Sequence, residues 1–386
     1  MMNFLKKHGL LVSLLALGAV NLLVFYYLFG FHPNNDTDGF IYTIDFFRGQ
    51  DAVFFPNRYL VPFYPVVGAK LLFFISSVQS LIVMNIIFYF GLLLLTYGLI
   101  ARVFKNKWIG FVTALLVATN YAMIRYGLTQ VQDMGGYFWS VLTMYAIWRW
   151  REEKHHGWLY LSSIAVAFGV LTKESGGMGA LFAGVIILWS KEGWGKTIKY
   201  LVMFAFFPFI TVVVNFLRVY DVGFSSFTYL VDTWKAWGPE NYVFLRWLGV
   251  NVSTYNAVWI AAAAGLILLF KYRRAVDQNI FIYFVAVLPT SLSYFAWPIF
   301  ISRTVFISAW LVLPLASYGL FKLYERGKLG KYLGVAAVVC LLVAPYALQN
   351  TLRYAHVFTI IEECHKNPVC AWNYFWQNRD SFSKIK

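Results

Sequence analysis

The chain has 386 residues, 60% of them hydrophobic and only 13% charged, with a net charge of +15. A soluble globule of that balance would hold more apolar surface than it could bury, which excludes water as the main solvent. The positive charge is no sign of a nucleic-acid partner, because it is concentrated in short connections between long apolar stretches.

Those stretches recur from Leu10 to the end of the 340s. A hydrocarbon core of roughly 30 Å needs about 20 helical residues per crossing. The expected fold is an all-α polytopic transmembrane bundle of about eleven spans, over residues 9–30, 78–101, 108–125, 132–149, 158–172, 177–190, 199–218, 255–270, 280–297, 304–321 and 333–349. The first run is followed by His32, Pro33 and Asn34 with no small-residue cleavage pattern, so it is expected to stay as an anchor.

With Lys6 and Lys7 inside, the inner connections collect Arg102/Lys105/Lys107, Arg149/Arg151/Lys154, Lys271/Arg273/Arg274 and Lys322/Arg326/Lys328/Lys331. More than half of the 32 Lys and Arg lie inside on this topology, against few acids, and the outer face is near neutral. This is the positive-inside pattern of an integral protein of a bacterial or archaeal cell membrane. The N-terminus is then cytoplasmic and the C-terminus extracytoplasmic. Cys364 and Cys370 fall close together in that outer tail, as a disulfide or as two free thiols. Cys340, in the last span, reads as a small core residue.

Two outer connections are long. The first, 31–77, carries Asp36, Asp38, Asp45, Arg48, Asp51 and Arg58. From Asp38 to Arg48 the spacing of Phe40, Ile41, Ile44 and Phe47 predicts an amphipathic helix in the interface plane, ended by Gly49. Tyr59–Ile75, broken by Pro62 and Pro65, reads as a second interfacial or re-entrant helix. The second connection, 219–254, mixes Trp234, Trp237, Tyr242 and Trp247 with charge, as a headgroup-level belt or as platforms for sugar rings. The organisation expected is a module at 1–218 that includes loop 31–77, a module at 219–350 that includes loop 219–254, and an outer tail at 351–386.

Ionisable side chains at the membrane edge are costly and usually have a reason to be there. Four outer positions qualify: Asp36/Asp38, Asp133, Lys173/Glu174 and Arg303. All belong to one predicted level of the membrane, so one site could use them together. The bland readings are helix capping for Asp36, Asp38 and Asp133, snorkelling for Lys173, a favourable first-turn position for Glu174, and a structural lipid phosphate for Arg303.

Several segments carry a resemblance. HPNNDTDGFIYTIDFFRGQ, followed by PNRYLVPFYPVVGAKL, is similar to the first outer loop of the GT-C glycosyltransferases, the superfamily of protein O-mannosyltransferases and aminoarabinose transferases. Asp36, Asp38, Tyr42 and Pro62/Pro65 match its acidic opening, its tyrosine and its proline-containing helix. LTQVQDMGGYFWSVLTMYAIWRW resembles that superfamily's fourth span with its leading aspartate, here Asp133. GVLTKESGGMGALF resembles the segment joining its fifth and sixth spans, with the lysine at Lys173, and ISRTVFISAWLVLPLASYGL a late segment with an arginine, here Arg303. The superfamily's usual arginine-tyrosine pair is Arg303/Thr304 in this chain.

The resemblance implies a GT-C bundle that moves a sugar from a polyprenyl-phosphate donor to a hydroxyl of a glycan, lipid or protein acceptor outside the cytoplasm, with membrane lipids and no nucleic acid as partners. The residue chemistry agrees. A carboxylate can take the acceptor proton, a role given first to Asp36 and then to Asp38. A cation must meet the departing phosphate, for which Arg303 comes first and Lys173 and Arg58 next. Tyr42, Asp133 and Glu174 are expected to touch substrate. One-step attack inverts the anomeric centre. A divalent ion on Asp36 or Asp38 is left open. The rival reading is a flippase of a lipid-linked glycan, which predicts charged groups through the midplane and paired halves with broken helices.

Overall fold

The computed structural model describes residues 2–31, 33, 36–51, 60–190, 192–220, 231, 234–235, 244–274, 277–297 and 301–355. These residues form helices and turns, and no strand occurs among them. Arg58, Cys364, Cys370 and most of the 219–254 connection lie outside the described residues.

Among the described residues, six helices are long and apolar enough to cross a membrane: His8–Phe29, Ser77–Val103, Trp194–Leu217, Gln278–Phe295, Ser302–Tyr324 and Gly327–Leu348. A pair bent by 90°, Leu248–Tyr255 with Val258–Lys271, makes a seventh if counted as one span. The expected count of eleven is therefore not met by length and composition. The other four predicted stretches do fall on helices: α5 (Lys107–Ala118), α6 (Asp133–Glu153), α7 (His156–Thr172) and α8 (Gly179–Leu188). Helices α5, α7 and α8 are short, and α6 is mixed in polarity and largely buried. Met134, Tyr137, Val141, Met144, Ile147, Trp148 and Trp150 of α6 are all fully buried.

Around α6 pack α7, α8 and α4 (Ser77–Val103). The start of α4 is set by a capping box, in which the Ser76 hydroxyl accepts from the Gln79 N–H at 3.2 Å and the Gln79 side chain accepts from the Ser76 N–H at 3.1 Å. At the start of α5 the Asn106 side chain accepts from the Trp108 and Ile109 N–H groups. Between the apolar helices the contacts are of the kind a hydrocarbon solvent leaves available. Asn21 on α1 (Met2–Phe29) donates to the Tyr89 hydroxyl at 2.9 Å and to the Ala118 carbonyl at 3.1 Å. Tyr346 on α14 (Gly327–Ala355) donates back to Asn21 at 2.8 Å, so one buried amide ties four helices. Gly265 of α11 (Val258–Lys271) leaves no room for a Cβ against the Leu315 carbonyl of α13 (Ala309–Tyr324).

The first long connection is built as expected at its start. Helix α2 runs Thr37–Phe47 and ends in Gly49 at φ 80°, a backbone state that suits glycine. Its apolar face packs on protein, with Phe40 and Ile44 in a cluster with Tyr64, Leu81, Met84 and Val131. The second helix, α3, is shorter than predicted at Phe63–Lys70, with Pro62 at its N-cap and Pro65 in the first turn, where the missing N–H costs nothing. Arg48 joins the two pieces by donating to the carbonyls of Gly68, Leu72 and Ile75 at 2.9–3.1 Å. Cys340, expected in the core, is an exposed free thiol, because α14 turns most of its surface outward.

Ion pairs among the described residues fall into two sets at opposite ends of α6. At one end Arg102 meets Glu152 at 3.0 Å, Lys105 meets Asp277 at 2.7 Å, and Lys154 meets Glu192. The Lys105 ammonium, aided by the Asn279 N–H, holds the Asp277 carboxyl below the usual carboxylate range. At the other end, about 30 Å away along a helix of 21 residues, are Asp133, Lys173, Asp36 and Arg303.

Candidate active site

Four separate pieces of chain carry the charged residues of this end. Asp36 holds the N-cap position of α2 but makes no side-chain cap bond. Its carboxylate instead accepts from the Arg303 guanidinium at 2.7 Å, 267 residues away in sequence. Asp133 is the first residue of α6, with Gln132 at the N-cap position. One of its oxygens accepts from the Lys173 ammonium, and the other lies 3.7 Å from Arg303. Asp36, Arg303, Asp133 and Lys173 are thus one continuous chain of alternating charge. The capping reading of the two aspartates and the snorkelling reading of Lys173 give way to this geometry.

The local sequence explains why these groups can meet. The connection between α5 and α6 is buried, so its backbone needs internal partners. Asn85 of α4 donates to the Thr129 and Val131 carbonyls at 2.6 and 2.7 Å, and Thr37 donates to the Gln130 carbonyl at 3.1 Å. These bonds fix Gln132 and Asp133 beside the start of α2. A π-turn at Met123–Gly127 sets Tyr126 so that the Arg303 guanidinium lies over its ring at 5.5 Å. Tyr137, one turn below Asp133, donates to the Arg303 carbonyl at 2.8 Å. On the far side, Gly169 of α7 and Gly176 touch backbone to backbone, and a Cβ on Gly136 would stand 2.6 Å from the Ser175 hydroxyl. Glycines at these points let the Lys173–Ser175 bend reach α6.

The result is a cleft lined among others by Asp36, Gln132, Asp133, Lys173, Glu174, Ser175, Tyr294, Trp297 and Arg303. The Lys173 and Asp133 side chains are 18% and 1% exposed, and those of Arg303 and Asp36 22% and 26%. Such charges hold one another in place, and deleting one member leaves its partner uncompensated.

Of the residues expected from sequence, Asp36, Asp133, Lys173, Glu174 and Arg303 line the cleft together. Asp38 and Tyr42 stand outside this lining and are exposed. Asp38 is two residues on from Asp36, more than half a turn around α2, and Tyr42 follows Asp38 by four on the same face. Arg58 lies outside the described residues. Sequence reasoning did not single out Tyr126, Gln132, Tyr137, Ser175, Tyr294 or Trp297. Only Gln132 and Ser175, beside charged residues already marked, offered a signal.

Asp36 and Asp38 were also the candidate ligands of a divalent ion. Among the described residues no group of three His, Cys, Asp or Glu side chains comes together to hold a metal, and the Asp36 carboxylate is engaged by Arg303.

The resemblance read from the sequence to the GT-C glycosyltransferases is met by a family model over part of the chain and by likeness of fold to solved structures. More particularly, residues 61–215 match the family of dolichyl-phosphate-mannose-protein mannosyltransferases. That stretch holds Asp133, Lys173 and Glu174 and begins after Asp36. In fold, the chain is similar to the archaeal oligosaccharyltransferase AglB from Archaeoglobus fulgidus in complex with an inhibitory peptide and a dolichol-phosphate, at 12% identity and TM-score 0.58, over 99% of this chain and 60% of that one. The apo form of the Archaeoglobus fulgidus oligosaccharyltransferase gives 13% identity and TM-score 0.57 over 99% and 60%. Its complex with zinc and sulfate gives 14% and 0.51 over 93% and 56%. The chain spans about three fifths of the length of these structures. No curated protein matches it in sequence.

Proposed function

We propose that the chain is an inverting GT-C glycosyltransferase that moves a sugar from a polyprenyl-phosphate donor to an acceptor hydroxyl on the extracytoplasmic side of the membrane. The single observation that carries this reading is the meeting of Asp36 and Arg303 across one cleft at 2.7 Å, with the Asp133–Lys173 pair beside them.

In this reading the acceptor hydroxyl gives its proton to the Asp36 carboxylate as its oxygen bonds to the anomeric carbon. The bond from that carbon to the carrier phosphate breaks on the opposite face, and its electron pair leaves with the phosphate. Arg303, whose planar fork suits phosphate oxygens, meets the charge as it develops. Asp133 and Lys173 orient Arg303 and the sugar. Before substrate arrives, Arg303 and Asp36 neutralise each other. A carrier phosphate that competes for the guanidinium releases the carboxylate to act as base, so that donor binding and base activation are one event.

The sidedness rests on the charge sorting. The basic inner connections pair with nearby acids at the end of α6 opposite the cleft. The bundle then has a first module, 1–218, that carries the base and a second, 219–350, that carries Arg303. The membrane is that of a bacterium or archaeon, and the acceptor is a glycan, lipid or protein.

The test is transfer by the purified protein in vesicles containing a polyprenyl-phosphate hexose. Release of free polyprenyl phosphate, with an inverted anomeric linkage in the product, is the expected result. Movement of intact donor across the bilayer without bond cleavage would replace the enzyme reading by a flippase.

A further inference from the structure

Three buried oxygens on the cleft wall lack a hydrogen-bond partner among the described residues: Oε1 of Gln132, Oδ2 of Asp133 and Oγ of Ser175. Gln132 is 3% exposed and Asp133 1%. The nearest cation to Asp133 Oδ2 is Arg303 at 3.7 Å, too far for a hydrogen bond. Among the unsatisfied buried atoms of the described residues, these three belong to residues that line one cleft, where a ligand's donors could meet them. Their chemistry restricts that ligand. Gln132 Oε1 and Asp133 Oδ2 only accept, while a serine hydroxyl both accepts and donates. Lys173, which could have received an acidic substituent, is already bonded to Asp133.

Resting on the glycosyltransferase reading above, we propose that Gln132, Asp133 and Ser175 form the cradle for the hydroxyls of the transferred sugar, and that it selects a hydroxyl-rich glycosyl group without an acidic substituent. The anionic part of the donor then lies toward Arg303, and the sugar lies over the oxygen-lined wall. A uronate carboxylate placed there would face the Asp133 charge and find acceptors where it needs donors. Gly136 belongs to the same construction, since any Cβ there would push the Ser175 hydroxyl out of place.

The experiment compares binding of three ligands to the purified full chain in detergent: bare polyprenyl phosphate, the same carrier bearing a neutral hexose, and the same carrier bearing a hexuronic acid. The hexosyl carrier should bind about tenfold tighter than the bare carrier, from two or three new hydrogen bonds to buried oxygens. The uronosyl carrier should bind no tighter than the bare one. Ser175→Ala and Gln132→Ala should each remove most of the hexose advantage while bare-carrier binding, which also reports intact folding, stays unchanged. Equal binding of bare and hexosyl carriers by the unmodified protein overturns the cradle while leaving the transferase reading standing. Preferred binding of the uronosyl carrier overturns the proposed selectivity. Failure to bind any of the three overturns both the cradle and the reading beneath it.

Discussion

Arg303 is placed by four groups of different kinds: a carboxylate at 2.7 Å, a second at 3.7 Å, an aromatic face at 5.5 Å and a tyrosine hydroxyl on its own carbonyl. Lys173 has one close partner, Asp133, and is slightly more buried than Arg303. Removing a partner from a buried pair costs about 3–5 kcal/mol, whereas replacing both by apolar groups is often close to neutral. Asp133→Asn should therefore lower the thermal midpoint sharply, and the double variant Asp133→Asn with Lys173→Met should recover much of it; additive losses in thermal denaturation would mean that the pair is not coupled. At this scale the sequence was informative for charged residues. A carboxylate or cation at a membrane edge is costly wherever the chain folds, so Asp36, Asp133, Lys173 and Arg303 could be marked without coordinates. Tyr126 could not be, because its role depends on a π-turn that gives an ordinary tyrosine a particular aim. Nor could Asp38 be separated from Asp36 before the start of α2 was known to within one residue.

Helices α6 and α7 and the bend after them meet through glycine. A Cβ on Gly169 would overlap the Gly176 carbonyl, and backbone atoms there have nowhere to go. Gly184 on α8 offers the contrast, since a Cβ added there would meet nothing within 4 Å. Gly169→Ala should destabilise by at least about 1–3 kcal/mol through overpacking and impair transfer, while Gly184→Ala should be tolerated. Melting temperatures of the two variants decide the matter, and equal values would remove the close-approach argument. The sequence showed a glycine-rich segment around Lys173 but not its purpose, since glycine permits close packing without saying what approaches. Helix α2 was legible to within a residue because its apolar spacing, its ending at Gly49 and its later packing all agree. Helix α3 was overextended, because apolar composition past Lys70 continues through a turn.

Among the described residues the ion pairs sort into two ends, and the cleft lies at the end away from the Arg102, Lys105 and Lys154 pairs. Single cysteines placed in a background lacking the native three at Asp38, which is exposed beside the cleft, and at Lys105, which is exposed at the opposite end, should react with a membrane-impermeant maleimide from opposite sides of intact cells. Labelling of both from one side would reverse or abolish the proposed orientation. The helical bundle was readable from hydropathy, which is a property of composition. The span count was not, because α5, α7 and α8 are shorter than a full crossing and α6 is largely buried and mixed in polarity.

The central claim is that Asp36 acts as the base of a sugar transfer whose leaving group Arg303 receives. The most direct measurement is the turnover of purified Asp36→Asn with a polyprenyl-phosphate hexose donor, set against the unmodified protein at equal donor occupancy. The account predicts a fall of about 10²–10⁴-fold in kcat with the donor still bound. Undiminished turnover in that variant would contradict it.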